Sequence, residues 1–187
     1  MQGPRVEPNA PNNKLERMRS PTVDFDQCRR GNLESLWMGN LDKPGETMRI
    51  LLAVDGSQPG NRAARFVARL ASTLVDRPHV TLIYVDEPLM RTVSVELGAQ
   101  GTARYHDENG RYAVRVAKAA LNRADVDFQE QLLVGNPAET IVKVARASRS
   151  NLIVMGSHGR SAFQSVFLGS VTIKVLTHTE TPVTIIR

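Results

Sequence analysis

The sequence predicts an α/β fold, a five-stranded parallel sheet with helices on both faces. Two observations predict it. From Arg49 onward, five short apolar runs alternate with four segments of helical periodicity. The runs are near-continuous Val, Ile and Leu, the composition of strands covered on both faces, and helical crossovers between such strands are right-handed. At 187 residues, with 41% hydrophobic and 23% charged residues, the chain can bury a core of ordinary size.

Each element follows in turn. Residues 1–46 are rich in Pro, Asn, Gly and charge without periodicity, and are expected to be a disordered extension, with one weak amphipathic segment from Phe25 to Trp37. Residues 47–187 form the domain. Gly45-Glu46-Thr47-Met48 can be encoded with a ribosome-binding sequence ahead of the Met48 codon, so Met48 is a candidate translation start. Strand one is Arg49–Val54, followed by Asp55-Gly56-Ser57. Helix one spans Pro59 to Leu74, with proline suited to its first turn and Ala63, Phe66, Val67, Leu70 and Leu74 as its apolar stripe. Strand two is His79–Val85. Glu87 to Thr102 reads as an irregular loop over the carboxyl edge of the sheet. Helix two covers Ala103–Ala124, with Val114, Ala117, Ala120 and Leu121 inward. Strand three, Asp127–Val134, ends at Gly135-Asn136-Pro137, the turn and first-turn proline of helix three (Pro137–Ser148). Strand four is Leu152–Met155, helix four Ser170–Thr177 and strand five Pro182–Ile186.

Composition narrows the function. Residues 1–46 hold seven basic and seven acidic side chains, so the whole net charge of +5 belongs to the domain. Its arginines and lysines fall at spacings of solvated helix faces, with no aromatics interleaved, so a nucleic-acid partner is not expected. No apolar run reaches the roughly 18 residues of a membrane span, and no secretory h-region opens the chain. The lone cysteine, Cys28, has no intramolecular disulfide partner. Cytoplasm is the expected compartment.

The stretch Gly156 to Ser170, GSHGRSAFQSVFLGS, joins strand four to helix four. Its glycines permit positive φ and close approach of backbone N–H groups to an anion. Ser170, at the expected N-cap, adds a hydroxyl where the helix end is positive. These parts suit a phosphate; an ordinary βα loop would need the same glycines for its turns. In open α/β sheets ligands bind beyond the carboxyl strand ends, where strand order reverses. Asp55 and the Gly156 loop both belong to that edge. Asp55 is a candidate for a ribose hydroxyl or for Mg or Mn beside phosphates, against the plainer role of capping helix one, for which Ser57 is better placed. Val85 can offer main-chain groups to a base or be core. Arg160 can pair with a phosphate or face solvent, and His158 lacks a second ligand at metal spacing.

Other chemistries are disfavoured. There is no GxxxxGK[ST], no GxGxxG after strand one and no GxSxG. No lysine stands in the glycine loop to stabilise a transferring phosphoryl group. Asp55 lacks the second acid of a phospho-acceptor site. Binding is supported by these residues; turnover is not.

With AVDGS at Ala53–Ser57 and G-x2-G-x9-G-[ST] at Gly156, Gly159, Gly169 and Ser170, residues 48–187 resemble the universal stress protein family. The glycine spacing is that of its ATP-binding branch. The resemblance implies a Rossmann-like sheet of order 3-2-1-4-5, also that of adenine-nucleotide α-hydrolase-like folds, which sets strands one and four side by side. Against the alternatives of a slow ATP-hydrolysing enzyme and a non-nucleotide dimeric scaffold, the resemblance implies a protein that binds ATP, ADP or AMP and is at most a weak ATPase, with adenine near Asp55, Val85 and Met155, ribose near Asp55 and Gly156, and phosphates near Gly159, Gly169, Ser170 and Val171; Ala53, Val54, Ser57, His158 and Arg160 complete the candidate nucleotide-binding residues. It also implies a homodimer through Pro182–Ile186, and a stress-response role exerted through nucleotide-dependent conformation or partner binding. The N-terminal extension is longer than the family pattern needs.

Overall fold

Leu51 and Leu52 are both inaccessible to solvent although neighbouring strand residues point to opposite faces. Strand β1 (Arg49–Ala53) is therefore the centre of a sheet with a layer on each side. The computed structural model describes residues 47–159 and 168–187. Within them β1 is followed by α1 (Gln58–Thr73), β2 (His79–Asp86), α2 (Arg91–Arg123), β3 (Phe128–Val134), α3 (Pro137–Ala147), β4 (Leu152–Gly156), α4 (Ser170–His178) and β5 (Val183–Ile186). The sheet order is β3-β2-β1-β4-β5, parallel at every pairing, so the chain reverses direction across the sheet between β1 and β4. The extension 1–46 and residues 160–167 lie outside the described residues.

The two faces have separate cores. Ile50, Leu52 and Val54 pack with Ala63, Val67, Val114 and Leu121 beneath α1 and α2. Leu51, Ala53 and Ile83 pack with Ile141, Val142 and Val175 beneath α3 and α4. The inward positions expected on helix two, Val114, Ala117, Ala120 and Leu121, are all buried. At Gly110 α2 packs closely on the edge strand β3: a Cβ there would lie 2.9 Å from Leu132 Cδ1.

Local signals set the helix starts. Ser57 caps α1, its Oγ accepting from the Gly60 amide at 3.1 Å, and Pro59 occupies the first turn. Asn136 caps α3, its Oδ1 accepting from the Ala138 amide at 3.2 Å, with Pro137 following. Two expectations need correction. The irregular loop over 87–102 is largely helical: α2 begins at Arg91, with one break at Gly98 (φ 67°, ψ 177°), and that break hides the helical run by interrupting its apolar stripe. The N-cap of α4 is Gly169, so Ser170 is the first helical residue and its side chain makes no cap bond.

Candidate functional site

Register assembles the site. Ala53 lies beside Ile83 on β2 and Met155 on β4, so three apolar side chains floor the carboxyl edge where β1 and β4 diverge. A cavity of about 410 Å³ opens there, within the size range of small-molecule pockets. Of the residues singled out in the sequence, Ala53, Val54, Asp55, Val85, Met155, Gly156, His158, Gly159, Gly169, Ser170 and Val171 line it. Ser57 does not: it is buried as the α1 cap, and its hydroxyl donates to the His158 carbonyl at 3.4 Å. Arg160 lies outside the described residues.

Asp55 is held from two sides. Its Oδ1 accepts from the Ser57 amide at 3.0 Å, and a Cβ on Gly60 would meet that oxygen at 2.9 Å. A Cβ on Gly159 would stand 2.9 Å from Oδ2. The carboxylate is thus wedged between the first turn of α1 and the chain leaving β4. Neither flank tolerates a side chain without moving it.

The glycines of the β4–α4 connection act differently from the expectation. Positive φ among the described glycines occurs at Gly56, Gly98 and Gly135, not at Gly156, Gly159 or Gly169. What those three provide is close approach. A Cβ on Gly156 would sit 2.7 Å from the Gly60 nitrogen and 2.9 Å from the Pro59 carbonyl carbon. One on Gly169 would sit 3.1 Å from His158 Cα. The neck of the connection is closed by the Gly169 amide donating to the Ser157 carbonyl at 2.7 Å. The buried Thr172 hydroxyl joins it, within 3.2 Å of the Gly156 carbonyl and 3.3 Å of that of Ser157. The Gly169 amide is therefore committed inside the protein. Ser170 and Val171 open α4, where amides have no carbonyl of their own helix to bond and the dipole is positive.

Sequence reasoning missed a second wall. Ile83, Tyr84, Asp86, Glu87, Pro137, Ile141 and Thr172 also line the cavity. Asp86 is the centre of a polar cluster: Tyr84 Oη donates to its Oδ1 at 3.0 Å, and Asn109 Nδ2 donates to its Oδ2 at 3.0 Å. His106 Nδ1 lies 2.8 Å from Oδ2. Burial pushes the Asp86 carboxyl up, but hydrogen bonds from His106, Asn109 and Tyr84, with the His106 charge, outweigh it and hold the group below the usual carboxylate range. An Asp-Glu pair directly after strand two, at the ligand edge, was the available signal. Among the described residues no group of three or more His, Cys, Asp or Glu side chains is placed to hold a metal ion by itself. Nor is any helix there long and apolar enough to cross a membrane.

Comparison with known proteins agrees with this architecture. A universal stress protein of Thermus aquaticus is 32% identical over 139 residues, covering 74% of this chain and 97% of that protein. Universal stress protein MJ0577 of Methanocaldococcus jannaschii is 28% identical over 153 residues, covering 74% of this chain and 94% of that protein. The solved structure of MJ0577 superposes with a TM-score of 0.65 at 27% identity, over 74% of this chain and 94% of its own. A universal stress protein solved in complex with cAMP shares the fold, with a TM-score of 0.56 at 23% identity over 75% of this chain and 97% of its own. The profile of the universal stress protein family matches residues 46–187. With the 3-2-1-4-5 sheet and its edge cavity, this match shows that the chain belongs to the universal stress protein family.

Proposed function

We propose that the chain is an adenine-nucleotide-binding protein of the ATP-binding branch, taking ATP or AMP at the carboxyl edge of β1 and β4. The observation that carries this reading is the pairing of Asp55 with the N terminus of α4 across one cavity. A carboxylate for ribose and a set of amides for phosphate face the same space. Related structures solved in complex with cAMP, dAMP and AMP support the ligand class. The base rests near Ala53, Val85 and Met155, and the phosphates lie toward Gly159, Ser170 and Val171, with Gly169 closing the neck behind them.

Asp55 also fits Mg2+ or Mn2+ in the mode that uses one carboxylate plus phosphate oxygens. It lies on the cavity wall beside Gly159, toward the proposed phosphates. The cation would supply charge neutralisation beside Asp55, Asp86 and Glu87, three acids on the cavity wall.

The protein acts by binding rather than turnover, because the glycine loop has no lysine for a transferring phosphoryl group. Nucleotide state then governs its conformation or partners. The test is release of ligand from purified protein, identified by mass spectrometry, with calorimetry on stripped protein. Micromolar affinity, about 8 kcal/mol, is expected for ATP or AMP. Absence of both co-purified nucleotide and measurable heat would refute the reading.

A further inference from the structure

The segment between the cavity wall and the body of α2 has features that the cavity alone does not explain. The chain leaves the cavity at Glu87, and α2 begins four residues later at Arg91. Its first part, Arg91–Leu97, is set off from the rest by Gly98, at φ 67° and ψ 177°. That conformation is essentially confined to glycine. A Cβ on Gly98 would meet nothing within 4 Å, so the glycine is required by backbone geometry and not by packing. The bend is sharp: Thr102 Oγ1 donates to the Ser94 carbonyl at 3.4 Å, whereas eight residues of straight helix would separate them by about 12 Å.

The two sides of the bend are anchored unequally. Beyond it, α2 is tied to β2 by the His106 and Asn109 bonds to Asp86 and packs on β3 at Gly110. Before it, three apolar side chains face solvent: Met90 is 74% exposed, Val95 73% and Leu97 45%. Three such residues within eight positions, in the segment that directly follows Asp86 and Glu87 of the cavity wall, are unusual for a solvated helix end.

We infer that residues 88–97 are a strap that swings about Gly98 and closes over an occupied cavity, burying Met90 and Leu97 against the ligand. The inference rests on the nucleotide-binding reading above. Closure accounts for a bend that only glycine can make and for the exposed apolar side chains of the segment that follows Glu87. The anchored half of α2 supplies the fixed post. Lids of this kind hold ligand chiefly by slowing its departure.

The test combines amide hydrogen exchange on the full chain, with and without saturating MgATP, and stopped-flow binding by Met90→Ser/Leu97→Ser. Exchange across 88–97 is expected to slow at least tenfold with nucleotide. The double variant is expected to release nucleotide at least tenfold faster, with an association rate within about twofold of wild type, consistent with burial of two apolar side chains. Both positions are exposed, so the variant keeps the wild-type fold and melting temperature. Nucleotide binding with unchanged exchange over 88–97, or an unchanged release rate in the variant, would overturn the strap and leave the site intact. A wild-type protein that binds no adenine nucleotide would overturn both.

Discussion

Gly156 and Gly159 stand three residues apart in one motif, yet the structure gives them separable tasks, and alanine at each distinguishes them. At Gly156 the added Cβ would lie 2.7 Å from the Gly60 nitrogen and 2.9 Å from both the Pro59 carbonyl carbon and Pro59 Cβ. Two of these atoms are backbone of the first turn of α1, itself capped by Ser57 and packed on the sheet. An ordinary carbon contact is about 3.5–4.0 Å, so β4 and α1 must part by roughly 1 Å. Overpacking of this kind costs about 1–3 kcal/mol, equivalent to a melting temperature lower by about 2–12 °C at roughly 2–4 °C per kcal/mol. At Gly159 the Cβ would meet, among the described residues, Asp55 Oδ2 at 2.9 Å, an atom that can turn aside. Stability is then nearly unchanged, but the carboxylate leaves its place in the cavity. Loss of one charged hydrogen bond to a ribose costs about 1.5–3 kcal/mol, or roughly 10- to 150-fold in affinity. Thermal melts followed by calorimetry with ATP give both numbers. Equal melting temperatures for Gly156→Ala and wild type, or an unchanged dissociation constant for Gly159→Ala, would refute this division.

Three more outcomes are expected. Thr172→Val, which leaves the Gly156 and Ser157 carbonyls without their buried hydroxyl donor, should lower unfolding free energy by about 1–3 kcal/mol in denaturant titration. The Asp86 carboxyl titrates below its unfolded value, so its stabilising contribution is present above about pH 3.9 and is lost as pH falls through the folded value. The stability gap between wild type and Asp86→Asn should therefore narrow from pH 5 to pH 3, and a gap that widens on acidification would contradict the assignment. On β5, the carbonyls of Pro182 and Ile186 accept from Ile153 and Ser157, so the pleat turns the amides of Val183 and Ile185 outward along the sheet edge. A homodimer through Pro182–Ile186, which the family resemblance implies, should therefore dissociate in Ile185→Pro, read as a halved mass by light scattering.

The fold was legible because its signals are local and redundant. The buried apolar run of β1, the Ser57 cap and the first-turn prolines each agree with the sheet they serve. Helix α2 was half legible, since a single glycine with φ 67° makes a continuous helical segment read as a loop. In the site, Asp55 was legible from its place after a central strand. Asp86 was not, because its importance arises from His106 and Asn109, some twenty residues away and brought to it only by the packing of α2 on β2.

The glycines of the motif line the cavity through close approach and not through positive φ, and the difference bears on affinity. Positive φ would have meant a loop shaped in isolation, its amides all turned toward an anion. Close approach means instead that the connection is pressed against α1, Asp55 and its own neck. One amide, that of Gly169, is already taken by Ser157. The donors of the α4 first turn then carry more of the phosphate contact. A helix end contributes only about 0.3–1 kcal/mol when exposed and up to about 2 when partly buried. Base burial over Ala53, Val85 and Met155 must therefore supply much of the binding energy in the proposed complex. AMP should bind within about tenfold of ATP, since the phosphates beyond the first add little. A preference for ATP above a hundredfold would refute this division of the binding energy.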